Sequence, residues 1–151
     1  MIRAAITTGQ FNDPEAENFL VTALLERRDA IGRTYLTAIN PIVDPQLSND
    51  GRLTFGNAAV DAGYVTSPQQ YQAIWYRFDN STRKTDRIDG TAGTSQGVQA
   101  PSGLPQEAGA FIKVDISANS AEYETWKKPV SAYFKRTDAG WQLIGFERDP
   151  I

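Results

Sequence analysis

The groups able to do chemistry in this chain are carboxylates, phenols, hydroxyls and amines, because its 151 residues include no histidine and no cysteine. Histidine is the side chain best suited to proton transfer near neutral pH. Cysteine supplies the thiolate nucleophile, disulfides and the soft ligands of zinc and copper sites. His- and Cys-dependent catalysis is therefore excluded, and neither a tightly bound transition metal nor a cofactor is expected. Asp44, Asp61, Asp86, Asp89 and Asp115 offer carboxylates. No two of them show a spacing that implies a paired acid and base. Tyr35 and Tyr76 could place hydroxyls in a pocket between a helix and a sheet. The competing reading makes them core tyrosines whose hydroxyls reach the rim. No catalytic residue is assigned.

Three short motifs are weighed and set aside. Asn49-Asp50-Gly51 lacks the alternating ligands and distal Glu of a hard-metal loop, and reads as a turn. Residues 93–97 carry two glycines but not the Lys-Ser/Thr ending of a phosphate loop. Asn80-Ser81-Thr82 fits a glycosylation acceptor, which matters only in a eukaryotic secretory setting.

The elements that must position these groups follow from periodicity. Asp13-Pro14-Glu15 is a helix start: Asp13 can accept from free backbone N–H groups, and Pro14 suits the first helical position. Glu15 and Glu17 favour the positive end of the helix dipole. Leu20, Leu24, Ile31, Tyr35 and Ala38 then recur as one apolar stripe, expected to face the core. Asn40-Pro41 ends the helix, since proline disfavours helical geometry in the residue before it. The predicted helix is about 26 residues long, or roughly 39 Å. Gly32 either bends it or admits a close neighbour. Residues 1–12 are expected to be flexible.

Residues 41–69 are punctuated by Pro41, Pro45, Gly51 and Pro68. Leu53-Thr54-Phe55 fits a short strand, and 57–63 a helical turn. From Gln70 the period changes to two. Tyr71 to Phe78 reads as a strand, 79–82 as a turn, and the return strand runs to Ile88. Residues 90–108 read as a long Gly/Pro-rich loop, mobile or functional. Ala110 to Ala118 is a strand. Pro129 to Arg136 and Trp141 to Arg148 form a hairpin, with Gly140 taking the positive-φ position of its turn. The expectation is one α+β domain over 1–151, with a long N-terminal helix packed on a twisted antiparallel sheet of about four to six strands.

If Ile112, Val114, Ile116, Val130, Ala132 and Phe134 face the helix, the other sheet face carries aromatics with basic tips. Tyr71, Trp75, Arg77, Phe111 and Tyr133 are assigned to that face as an interaction surface, because amphipathic aromatics favour interfaces. Self-association through it is the form expected. The competing reading has residues 41–69 covering the same rings.

Composition narrows the partners. The 40% hydrophobic and 22% charged fractions are those of a globular protein that buries a core. The net charge of −3 argues against a nucleic-acid partner. Arg27 and Arg28 beside Glu26 and Asp29, like Arg83, Lys84 and Arg87 around Asp86, read as solvated charge. No apolar run approaches the roughly 18 residues of a membrane span. The first ten residues are too short and polar for a signal peptide. Lack of cysteine suits an exported bacterial protein and a cytoplasmic one alike, so the compartment stays open.

The stretch Val130 to Arg148, with Gly140-Trp141 at its turn, resembles the closing hairpin of ketosteroid-isomerase-like cones, the nuclear-transport-factor-like superfamily. The order helix-first is also similar. The segment Glu26 to Arg33 resembles one found in a family of bacterial proteins without an assigned activity. The first resemblance implies a cone-like fold, and a pocket Asp or Tyr in its isomerase members; neither role maps onto a position here. Two functions follow as expectations. The leading one is a non-enzymatic accessory or protein-binding domain, part of a larger bacterial assembly. The alternative is a small-molecule-binding cone, a hydrolase or isomerase using Asp or Tyr.

Overall fold

The computed structural model describes residues 1–94 and 97–148 and shows an α+β fold with two antiparallel sheets. The order is α1 (Ile2–Thr7), α2 (Pro14–Ala38), β1 (Ile42–Leu47), β2 (Arg52–Asn57), α3 (Ala58–Asp61), β3 (Gln70–Phe78), β4 (Thr85–Gly93), β5 (Val98–Gln99), β6 (Phe111–Asn119), a 3₁₀ turn (Glu124–Lys127), β7 (Val130–Thr137) and β8 (Gly140–Arg148). One sheet runs β1-β2-β5 and the other β4-β3-β6-β7-β8. Ser95 and Gln96, inside the stretch weighed as a phosphate loop, lie outside the described residues, as do 149–151.

The long helix starts and stops where its sequence dictates. The Asp13 carboxylate accepts from the Glu15 N–H at 2.9 Å, Pro14 opens the first turn, and the helix ends before Asn40-Pro41. Residues 2–7 form α1. Arg3 donates to the Asn18 side chain and Thr7 to the Glu17 carboxylate, which ties α1 to α2. Gly32 admits a close neighbour: a Cβ there would stand 2.5 Å from the Tyr64 hydroxyl oxygen.

The core lies between the two sheets. Ile42, Leu47, Leu53 and Val98 from the smaller sheet pack with Ala73, Trp75, Ile112, Val114, Ala132 and Phe134 from the larger one. Leu36, near the end of α2, is packed against this cluster. The edges of the sheets adjoin, β1 beside β8 and β5 beside β4. Thr94 and Gly97 bridge at the second of these corners.

Two strand assignments differ from expectation for physical reasons. β1 contains Pro45, which cannot donate to a ladder; it is tolerated because β1 is the edge of its sheet, bulged between Val43 and Gln46. β4 runs through Gly90 to Gly93, and β5 occupies 98–99, so part of the expected 90–108 loop is strand. Gly93 is in contact range of the Gly97 carbonyl, and a Cβ would close that space. Glycine here permits close backbone approach rather than a loop.

The end of α2 is clamped by hydrogen bonds. The Trp126 indole N–H and the Thr125 hydroxyl donate to the Thr37 carbonyl. Asn40 Nδ2 donates to the carbonyls of Ile116 and Lys128. The Arg148 guanidinium donates to the carbonyls of Asn40 and Ile42.

Candidate functional site

Helix α2 presents its apolar residues in two directions. Val21, Leu25, Gly32 and Leu36 turn toward the protein and are buried or half-buried. The Tyr64 ring lies over this side at Gly32. Its hydroxyl donates to Asp29 at 3.3 Å, and the Arg33 guanidinium sits 5.9 Å from its centroid. The stripe read as core-facing points the other way. Leu24, Ile31 and Tyr35 are 44%, 49% and 70% exposed, Ala38 is exposed, and Leu20 is half-buried. Phe19 adds a further exposed ring at 73%. Periodicity fixed the stripe but not its direction, because α2 has apolar side chains on both sides of its inward axis.

Charge flanks this stripe. At about 3.6 residues per turn, Arg27 and Arg28 fall on opposite sides of the line from Leu24 to Ile31. Both are exposed. Arg28 is ion-paired to Asp29 at 2.6 Å. The Asp29 hydrogen bond, then its charge, raises the Arg28 pKa and keeps the guanidinium ionised. The stripe is therefore apolar along its length and flanked at its middle by Arg27 on one side and the Arg28–Asp29 ion pair on the other.

The five residues assigned to an outer sheet face are divided by the structure. Tyr71 and Trp75 are buried on the inner face, where they oppose Ala118 and Val114. Arg77 is on the same side of β3 but exposed at the strand end, 3.4 Å from the Glu107 carboxylate. Phe111 and Tyr133 lie on the outer face and are half-buried. Large rings suit the space between two sheets, so the aromatic phase of β3 is its core phase. Gln70 and Gln72, polar and alternating with Tyr71 and Ala73, carry that signal in the sequence.

The buried polar tips are satisfied. Trp75 Nε1 donates to the Thr91 hydroxyl at 2.7 Å. Asn57 Nδ2 donates to the Tyr71 hydroxyl at 3.1 Å, while Asn57 Oδ1 accepts from the Ala59 and Val60 N–H groups and caps α3. Burial pushes the Tyr71 phenol above its ordinary pKa.

Tyr35 and Tyr76 do not meet in a pocket. Tyr35 is on the exposed stripe of α2, and Tyr76 is on the outer sheet face with the Lys113 ammonium 5.5 Å from its centroid. Around Lys113 the outer face is a closed polar set. Lys113 pairs with Asp115 at 3.0 Å, and Ser131 donates to Asp115 at 2.6 Å. Phe78 packs edge-on against Tyr133, whose hydroxyl donates to Glu147. Two open clefts share Phe78 and Asn80: one is lined by Arg77, Asp79, Asp86 and Glu107, the other by Arg83, Lys113 and Glu147. Among the described residues no group of three or more Asp or Glu side chains is placed to hold a metal ion. No described helix is long and apolar enough to cross a membrane.

Compared with known proteins, the chain matches no family model, no curated sequence and no solved structure.

Proposed function

We propose that this chain is a non-enzymatic protein-binding domain that docks a partner along the outer face of α2. The observation that carries the reading is the exposed stripe of Leu24, Ile31 and Tyr35. A linear row of large apolar side chains, aligned on one helix, is the surface an amphipathic helix packs against. Such a role suits an accessory part of a larger bacterial assembly.

The charge at the middle of the stripe selects the partner. In a twofold pairing centred between Leu24 and Ile31, Arg27 and Arg28 would each meet their own copies. A second copy of this chain is thus a poor occupant. A partner helix with Asp or Glu beside its apolar row places carboxylates against both arginines.

The small-molecule cone has less support. The space between the sheets is filled by Trp75, Tyr71, Phe134 and Trp126, all essentially inaccessible to solvent. The phenol–carboxylate pairs among the described residues, Tyr64 with Asp29 and Tyr133 with Glu147, lie apart from each other and outside that filled space.

The test uses labelled amphipathic peptides of about three heptads, with Glu or Lys flanking a Leu row. Anisotropy should show wild type binding the Glu peptide at least about tenfold more tightly than the Lys peptide. Ile31→Asp should abolish binding while leaving the circular dichroism unchanged, because Ile31 is exposed. The double change Arg27→Glu and Arg28→Glu should reverse the preference. A wild type that binds neither peptide sinks the proposal.

A further inference from the structure

We infer that the outer face of the five-stranded sheet carries a binding site for a small monocarboxylate with an aromatic or branched apolar body. The site is the open cleft of about 580 Å³ at the turn that joins β3 to β4. That volume falls in the range of ligand sites. Every strand of the sheet contributes to it: Phe78 from β3, Thr85 from β4, Lys113 from β6, Tyr133 from β7 and Ile144 from β8. Three local irregularities meet here. β8 is bulged against β7: Tyr133 is opposite Gly145 and Phe134 opposite Leu143, which leaves Ile144 without an opposite residue. A bulge re-aims a side chain, and Ile144 stands 46% exposed at the cleft. Gly145 makes room for the Tyr133 ring, since a Cβ there would stand 3.3 Å from Tyr133 Cδ2. That ring is edge-on to Phe78, with 5.1 Å between centroids. Arg83 has a φ of 58°, a left-handed conformation that Gly or Asn adopts more readily than Arg. A bulge, a glycine and a left-handed arginine thus line one cleft together with two rings.

Charge selects the ligand. Lys113 is engaged with Asp115, and Glu147 accepts from the Tyr133 hydroxyl. Among the described residues the Arg83 side chain makes no ion pair. It is exposed, and its planar fork of donors matches a carboxylate with two parallel hydrogen bonds. Glu147, which also lines the cleft, repels a second negative charge on the ligand, so a carboxylate fits better than a phosphate monoester. Phe78, Tyr133 and Ile144 offer contact to an apolar body. No residue of α2 lines this cleft, so the site does not depend on the docking reading.

Titration of isotope-labelled protein with phenylacetate, followed by NMR, tests the site. The expected result is saturable shifts of the Phe78, Tyr133 and Ile144 side-chain signals, with the neutral phenylacetamide binding at least about tenfold more weakly. Arg83→Gly removes the guanidinium at a φ that glycine accepts, so the protein should melt no lower than wild type while phenylacetate binding falls by about tenfold. Ile144→Ser, at an exposed position, should keep the fold and weaken acid and amide alike. Acid and amide binding with equal affinity, shifts confined to other parts of the molecule, or an Arg83→Gly protein that binds like wild type each overturns the inference. So does a wild type without shifts at about 20 mM phenylacetate, well above the millimolar range of weak ligands.

Discussion

Tyr71 and Asn57 depend on each other, since Asn57 donates to the Tyr71 hydroxyl while its oxygen caps α3. Tyr71→Phe leaves a buried amide N–H without that acceptor and should cost about 1–3 kcal/mol in urea unfolding. The phenol adds a pH term. Its pKa is raised in the folded state by burial, so its contribution is complete below the unfolded value, about 10, and is lost as pH rises through the folded value. Tyr71→Phe should therefore flatten the alkaline fall in stability. Asp79 behaves oppositely. Bonds from the Ser81 hydroxyl and from the Thr82 and Ser81 N–H groups hold its pKa at about 2. The contribution is present above the usual carboxylate value near 3.9 and is lost as pH falls through about 2. A carboxyl carbon titration by NMR should place its midpoint near the lower value; a midpoint near 4 removes the argument. Trp75→Ala, at a ring with no solvent exposure, should cost about 3–5 kcal/mol and leave the oligomeric state unaltered.

At the scale of elements, Gly32 and Tyr64 make a sign-changing pair. Alanine is favoured over glycine inside a helix by about 1 kcal/mol. Yet a Cβ at Gly32 would collide with the Tyr64 ring and displace it from Asp29. Gly32→Ala should lower the melting temperature of the wild type and raise it in a Tyr64→Ala background. A rise in both backgrounds would show that Tyr64 is not held there. The elements themselves were legible where the local chemistry was strong. The Asp13-Pro14 start, the Asn40-Pro41 stop and the Gly140 turn appear where they were expected. β1 was hidden by Pro45, because an edge position is a property of the whole sheet and not of the six residues. The direction of the α2 stripe was hidden for the same kind of reason. Periodicity names a face, and only the partner of that face tells whether it is inside.

For the whole molecule, the class and most strands were legible in the sequence, but Tyr71 and Trp75 were assigned to the wrong sheet face. Tyr71 and Trp75 went to the core once a second sheet, built partly from 42–57, covered their face. Surface aromatics and core aromatics are alike in composition, and burial decides between them. Hydrogen exchange should show the same division: amides of residues 15–22 should exchange faster than those of β3 and β6, because α2 is held at its C-terminal end by Trp126, Asn40 and Leu36. The corners between the two sheets carry a different consequence. β1 lies beside β8, and β5 beside β4, without sharing a ladder. β1 therefore stays an edge, and it is blunted by Pro45, which has no N–H to offer, and by the bulge between Val43 and Gln46. Fibrous growth by strand addition is thereby discouraged at that edge in the folded state.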